Sequence, residues 1–229
     1  MELTFNKSNQ TLELPDTFLE LAEEFGSNMM DASELLYLAR TLAAYSWDTT
    51  AIIVEIGAYT GRTTLFMNRV LRLLGKRVPI LSIDAFDAFQ PEALNPQGNY
   101  TAYLQTMRAN NVGDVCLPLT AFSQNAAPVV PDKIGVLVVD GGHTFPVVMQ
   151  DLALYGPKVL PGGYIFIDDY GPAYPDVMRA VDEYFVPGSS FTVLHKSYFV
   201  VARHDTSTTQ TKRKAPSSNE KTQTRTTKK

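Results

Sequence analysis

Between Ile52 and Gly61 the chain reads IIVEIGAYTG, and few folds accommodate that order of residues. Ile52, Ile53, Val54 and Ile56 form a short apolar run broken by a single acid, Glu55. Gly57 and Gly61 then bracket a polar turn before Arg62-Thr63-Thr64 opens an amphipathic segment. An apolar run of that length followed by glycines and a helix start predicts a buried parallel strand, a tight turn and a helix N-terminus. Glycines at such a turn let a ligand approach bare backbone. The same residues also suit an ordinary βα turn of any α/β protein, so the rest of the chain has to decide between them.

Glu55-x-Gly57-x-x-x-Gly61 is not the G-x-G-x-x-G spacing that cradles a pyrophosphate, and a carboxylate at the strand end repels phosphate. The turn therefore suits a nucleotide-like ligand without phosphates, such as S-adenosylmethionine, whose amino acid end and sulfonium tolerate an acid. Residues 80–84, ILSID, predict a second strand that ends in Asp84. Ligands of open parallel sheets sit outside the carboxyl ends of the strands, which places Asp84 to accept hydrogen bonds from ribose hydroxyls or, alternatively, to cap a helix. A third strand near residues 115–119 leads to Ser123 and Gln124, short polar side chains suited to an adenine edge and common in any loop.

A fourth strand, residues 135–139, ends in Asp140-Gly141-Gly142-His143. A helix over residues 145–160 leads to Pro161-Gly162-Gly163 and a fifth strand, residues 164–167, which ends in Asp168-Asp169. Three carboxylates thus arrive at the ends of two strands that can be neighbours, and carboxylate oxygens are what hard divalent cations such as Mg2+ select. Helix caps and turns also use aspartate pairs. His143, three residues from Asp140, is placed as a proton acceptor, since an unperturbed imidazole titrates near pH 6.5; a turn histidine is the plainer alternative. A helix over residues 175–185 and strands near 191–194 and 198–202 predict a closing hairpin.

At 229 residues and 45% hydrophobic content the chain can bury one substantial α/β core and leaves no room for a second full domain. Two amphipathic segments, residues 15–25 and 31–45, predict a helical cap over residues 1–50 that packs on a sheet edge or the ligand mouth. The α/β domain is expected over 51–202. From Arg203 to Lys229 there are eight basic and two acidic side chains, and the first 202 residues carry 12 basic and 22 acidic ones. With no aromatic or branched aliphatic residue after Arg203, residues 203–229 are expected to be a disordered basic tail. The acidic body argues against a nucleic-acid-binding domain. Cys116 is the single cysteine, which excludes an intramolecular disulfide and suits a reducing compartment. No stretch approaches the roughly 20 apolar residues of a membrane span, and the N-terminus has no signal-peptide pattern, so a cytoplasmic location is expected. The loop over residues 85–100, rich in Pro, Gly and aromatic residues, has the length of a lid.

In combination these motifs resemble the class I S-adenosylmethionine-dependent O-methyltransferases. VEIGAYTGRTT resembles the cofactor loop of the catechol O-methyltransferases, and DGGHTFPVVMQDL with LPGGYIFIDDYG resembles the macrocin and mycinamicin sugar O-methyltransferases. The resemblance spans roughly residues 52–185. It implies a Rossmann-like open α/β sheet of about seven strands, mostly parallel with a C-terminal antiparallel hairpin and with helices on both faces. It further implies that Glu55, Gly57, Ala58, Tyr59, Gly61, Asp84, Ser123, Gln124 and Asp140 bind S-adenosylmethionine, that Asp140, Asp168 and Asp169 hold Mg2+, and that His143 lies at the place of the general base. Catechol enzymes carry a lysine as base and an asparagine as last metal ligand, so His143 and Asp169 point away from strict catechol chemistry. The implied acceptor is a small-molecule hydroxyl on a sugar, phenol or other natural product, and a homodimer is common in such families. Two rival classes are a nicotinamide-dependent oxidoreductase, which would need a tighter glycine fingerprint, and a non-catalytic S-adenosylmethionine-binding protein.

Overall fold

In the computed structural model Ile52–Ile56 forms strand β1, buried along its whole length, at the centre of a seven-stranded sheet. The structure describes residues 15–206 apart from 28, 49 and 87–97. Chain order is α1 (Asp16–Phe25), α2 (Ala32–Ala44), β1, α3 (Arg62–Leu73), β2 (Ile80–Asp84), α4 (Asn99–Ala109) and β3 (Cys116–Thr120). There follow α5 (Ser123–Ala126), β4 (Ile134–Val139), α6 (Phe145–Tyr155), β5 (Val159–Ile167), α7 (Pro175–Tyr184), β6 (Phe191–Lys196) and β7 (Val200–His204). Spatial order in the sheet is β3-β2-β1-β4-β5-β7-β6; the first five strands run parallel, and β7 pairs antiparallel with both β5 and β6. The expected mixed sheet with a C-terminal hairpin is what the chain forms.

Period-two alternation explains how both faces are covered. Ile53 of β1 packs with Phe66 of α3 and Leu38 of α2 in one cluster, whereas Ile52, Val54 and Ile56 point the other way, toward Val148 and Leu152 of α6 and Ala180 of α7. Apolar side chains at four of the five positions of β1 thus reflect burial on two faces at once. Glu55 shares the parity of Ile53, so its carboxylate is carried under α3 and not toward solvent. The chain goes from β1 to β2 on one side of the sheet and later inserts β4 on the other, which makes the carboxyl ends of β1 and β4 the switch point where such sheets bind ligands.

Several boundaries differ from those read off the sequence. The helix expected over residues 145–160 stops at Tyr155, because Pro157 cannot donate to an α-helical bond and a single 3-10 turn, Gly156–Lys158, follows. Val159 then pairs with Ile134, so β5 begins five residues before the expected Tyr164 and absorbs Pro161-Gly162-Gly163 in a register irregularity. At the other end, β7 continues through Arg203 and His204, which sequence composition had assigned to the tail; Arg203 pairs with Tyr164 and His204 with Phe191. The rest of that tail, residues 207–229, lies outside the described residues, as does most of the expected lid loop, residues 87–97.

The N-terminal helices pack against the start of α3. Arg62, the first residue of α3, donates from Nε to the Phe25 carbonyl at 2.7 Å and from Nη2 to the Glu24 carbonyl at 3.0 Å. One side chain thereby joins the end of α1 to the turn that follows β1. Asp31 caps α2, accepting from the Ser33 and Glu34 N–H groups while Glu34 returns a bond to the Asp31 N–H at 2.6 Å.

Candidate functional site

Gly57 leaves β1 at φ +89°, with its N–H donated to the Ile83 carbonyl at 2.9 Å. A Cβ there would lie 1.8 Å from the Asp140 carbonyl oxygen, so the ends of β1 and β4 approach as closely as they do only because residue 57 is glycine. Asp140 N–H closes the same junction by donating to the Ile56 carbonyl at 2.9 Å. Gly61, at φ +81°, starts α3, and a Cβ on it would meet Met107 at 2.6 Å and the Tyr103 ring at 2.8 Å, both on α4. Between the glycines, Tyr59 takes a left-handed conformation at φ +48°. That strain is held by Asp84, whose Oδ2 accepts the Tyr59 N–H at 2.7 Å while Oδ1 accepts the Phe86 N–H at 2.5 Å.

Asp84 therefore shapes the turn through backbone bonds. Two accepted hydrogen bonds leave a carboxylate with further lone pairs, so this geometry is compatible with ribose hydroxyls at the same oxygens. Asp84→Ala is expected to weaken S-adenosylmethionine binding by about 1 to 3 kcal/mol, the range for hydrogen bonds to a charged acceptor. Calorimetric titration of the variant reads this directly, and an unchanged dissociation constant would remove Asp84 from the cofactor site.

Glu55 is 1% exposed. Its Oε2 accepts from the Thr64 hydroxyl in a short bond and from the Ser82 hydroxyl at 2.7 Å, and Oε1 has no partner among the described residues. The acid thus sits beneath the turn, between β2 and α3. Burial pushes its carboxyl up to about 7 from an ordinary 4.5; the hydroxyls of Thr64 and Ser82 oppose the shift and the charge of Asp84 adds to it. A raised folded value means that the stability linked to this proton is fully present below pH 4.5 and is lost as pH rises through about 7. The difference corresponds to about 3 kcal/mol. Glu55→Gln should remove that slope, so that wild type loses stability relative to the variant between pH 5 and 8 in denaturant titrations. Parallel pH profiles for the two proteins would refute the assignment.

A cavity of about 190 Å³ lies beside the turn, lined by Gly57, Ala58, Tyr59 and Asp140 on the sheet side. Phe25, Ser27, Met30 and Leu35 close it from the α1–α2 side, a contribution that sequence reading gave only as a general covering role. Phe25 and Leu35 belong to the apolar spacing that predicted α1 and α2, and nothing in the sequence aimed them at this cavity. Ser123 and Gln124 begin α5 at the end of β3; Ala121 N–H donates to the Asp84 carbonyl at 3.0 Å, which joins that segment to the second strand end. The Ser123 carbonyl accepts from the Tyr155 hydroxyl at 2.6 Å, and Gln124 is exposed.

Asp140 and Asp168 follow paired strand residues: Val139 lies opposite Ile167 in the parallel β4–β5 ladder, and Asp168 N–H donates to the Val139 carbonyl at 3.0 Å. Asp169 turns out of the strand in a left-handed conformation, φ +60°, and its Oδ2 lies 2.7 Å from His143 Nε2. Asp140, His143 and Asp169 each bring one ligand atom within 4.8 Å of the others. Two of the three expected metal carboxylates are gathered here with the expected base, while Asp168 stands outside that set. Asp168 is 3% exposed and its Oδ2 has no partner among the described residues. Burial pushes the carboxyls of both Asp140 and Asp168 upward; the charges of Asp168 and Asp169 add to it at Asp140, and those of Glu34 of α2 and Asp169 add to it at Asp168. Buried, repelling acids with an orphaned oxygen fit a divalent cation, which would partner that oxygen and offset the charge. Tyr174, the residue before α7, lays its ring against the His143 imidazole with centroids 4.3 Å apart. Nothing in the local sequence signalled that contact, because it depends on how α7 returns to the sheet.

Comparisons with known proteins bear on the family and the fold. The family model described as a methyltransferase domain matches residues 54–170, which run from β1 past the Asp168-Asp169 pair. The solved structure of the O-methyltransferase NovP superposes with a TM-score of 0.61 at 19% identity, covering 86% of this chain and 90% of that one. A Podospora anserina methyltransferase solved with SAH bound gives 0.56 at 15% identity, over 85% and 89% of the two chains. At these identities the likeness speaks for the fold. An uncharacterized protein of Acanthamoeba polyphaga mimivirus is 41% identical over 56 residues, 24% of this chain and 25% of that one, so the match spans about a quarter of the relative's length. Among the described residues no helix is long and apolar enough to cross a membrane. With the family model covering more than half of its length and the switch-point turn built as described, the chain belongs to the methyltransferase-domain family and has the class I S-adenosylmethionine-dependent methyltransferase fold.

Proposed function

We propose that the protein transfers a methyl group from S-adenosylmethionine to a hydroxyl of a small molecule, with Mg2+ held by Asp140, Asp168 and Asp169 and with His143 as the proton acceptor. The observation that carries this reading is the meeting of Asp140, His143 and Asp169 at the strand ends beside the Gly57 turn, with the orphaned Asp168 oxygen on the neighbouring strand. The O-methyltransferase named among the structural neighbours supports it as an analogy of fold.

The residues divide the work. Gly57, Ala58 and Tyr59 offer backbone to the cofactor's amino acid end, and Asp84 offers carboxylate oxygens to the ribose. Ser123 and Gln124 would read the adenine edge from the end of β3. S-adenosylmethionine supplies an electrophilic methyl on a sulfonium, and Mg2+ supplies Lewis acidity that lowers the pKa of a hydroxyl held beside it. His143 takes the proton that the hydroxyl gives up as the methyl leaves sulfur for oxygen. Asp169, whose Oδ2 lies 2.7 Å from His143 Nε2, would fix where that imidazole sits. A vicinal diol would suit a centre of this kind, since it offers two neighbouring hydroxyl oxygens to hard-cation chemistry.

Transfer of a labelled methyl group into 3,4-dihydroxybenzoate, measured with Mg2+, with EDTA and with EDTA followed by excess Mg2+, tests the reading. Activity is expected only in the first and third conditions, with 4-hydroxybenzoate a poorer acceptor. Undiminished activity in EDTA would remove the cation. Cofactor binding without transfer to either phenol or to a sugar diol would favour a non-catalytic binding protein.

A further inference from the structure

We propose that the cation centre has two overlapping ligand sets, Asp140–Asp168–Asp169 for Mg2+ and Asp140–His143–Asp169 for Zn2+ and similar borderline cations, so that His143 senses which metal is bound. Asp140 and Asp169 are common to both sets. What differs is the third donor: a buried carboxylate oxygen without a partner among the described residues in one, an imidazole nitrogen in the other.

Donor chemistry separates the two. Mg2+ takes oxygen ligands in octahedral geometry and rarely imidazole, whereas imidazole suits Zn2+, Co2+ and Ni2+. Around a tetrahedral Zn2+ with bonds of about 2.0 to 2.2 Å, ligand atoms stand roughly 3.3 Å apart. That spacing falls inside the range already present, 2.7 Å from His143 Nε2 to Asp169 Oδ2 and at most 4.8 Å among all three donors. Small side-chain rotations thus bring the three to one ion. The Tyr174 ring packed on the imidazole keeps His143 at the centre in either case.

The consequence rests on the function proposed above: a nitrogen bonded to a metal has no lone pair with which to accept a proton. Zn2+ should therefore bind more tightly than Mg2+ and silence transfer by occupying the base. Mg2+ leaves His143 free. The ligand assignment itself needs no acceptor and stands or falls separately.

Titration calorimetry of metal-free protein with Zn2+ alone and Mg2+ alone provides the test, in wild type, His143→Ala, His143→Phe and Asp168→Asn. Zn2+ affinity is expected to fall tenfold or more in both His143 variants and to change less than threefold in Asp168→Asn, with Mg2+ showing the reverse order. Co2+ added to wild type alone should shift one imidazole proton resonance far outside the diamagnetic range, a readout that requires no variant to fold. Equal Zn2+ affinity with and without His143, or a Co2+ complex with no shifted imidazole resonance, overturns the proposal even where methyl transfer requires Mg2+. Should the Zn2+ results hold while transfer ignores EDTA, the second ligand set stands and the Mg2+ reading fails.

Discussion

Asp140→Ala is expected to abolish methyl transfer while leaving the fold as stable as wild type or more so in the absence of divalent cations. Asp140 lies between two neighbours: its backbone accepts the close approach of Gly57 and donates to Ile56, and its side chain joins His143 and Asp169. Alanine keeps the backbone contacts and removes only the carboxylate. In the cation-free protein that carboxylate is desolvated and repelled by Asp168, Asp169, Glu55 and Glu34, so its loss relieves repulsion. The proposed function needs the opposite condition, three carboxylates held together so that a cation can bind, and this is the usual trade between stability and activity at a site. Mg2+ should raise the melting temperature of wild type and leave that of Asp140→Ala unchanged. Since the carboxyls of Asp140 and Asp168 are both pushed upward, protons compete with the cation, and wild-type Mg2+ affinity should climb as pH rises through their titration. Mg2+-dependent turnover of the variant within tenfold of wild type would take Asp140 out of the centre.

That dissociation follows from features the sequence displayed unevenly. The apolar run of β1 and the glycines at 57 and 61 were legible because burial on two faces and positive φ leave direct marks on residue choice. Glu55 was legible as an anomaly, an acid within an apolar run, yet its environment was not: Thr64 and Ser82, which receive its carboxylate, come from α3 and β2 and are ordinary residues in isolation. Asp140, Asp168 and Asp169 could be named from their places after two apolar runs. Which oxygen would remain unpartnered depended on the one-residue turn at Asp169, and a left-handed aspartate has no sequence mark of its own. The limits of β5 were obscured for a similar reason, since Pro161-Gly162-Gly163 reads as a loop and becomes strand only because Val159 finds Ile134 across the sheet. The contacts that Phe25, Met30 and Leu35 make with the cavity are tertiary, and no local pattern encodes them.

His143→Ala should lower turnover by ~100-fold or more with little change in S-adenosylmethionine affinity, the scale on which a positioned general base contributes. The cofactor-binding residues explain the second half of that statement: the turn from Gly57 to Tyr59 and the Asp84 carboxylate are built from β1 and β2, and none of their hydrogen bonds involves His143. The first half depends on what the imidazole does beyond holding Asp169. A structural histidine would be replaced adequately by glutamine or asparagine, which can hydrogen-bond to Asp169 but cannot take up a proton near neutral pH. His143→Gln should therefore be as slow as His143→Ala. Free imidazole in the buffer should restore part of the rate to the alanine variant and none to the glutamine variant, because only alanine leaves space beside Tyr174 for the ring to enter. Turnover of His143→Gln near wild type would reduce His143 to a turn residue that steers Asp169, and the proton would then have to leave by way of a carboxylate or solvent.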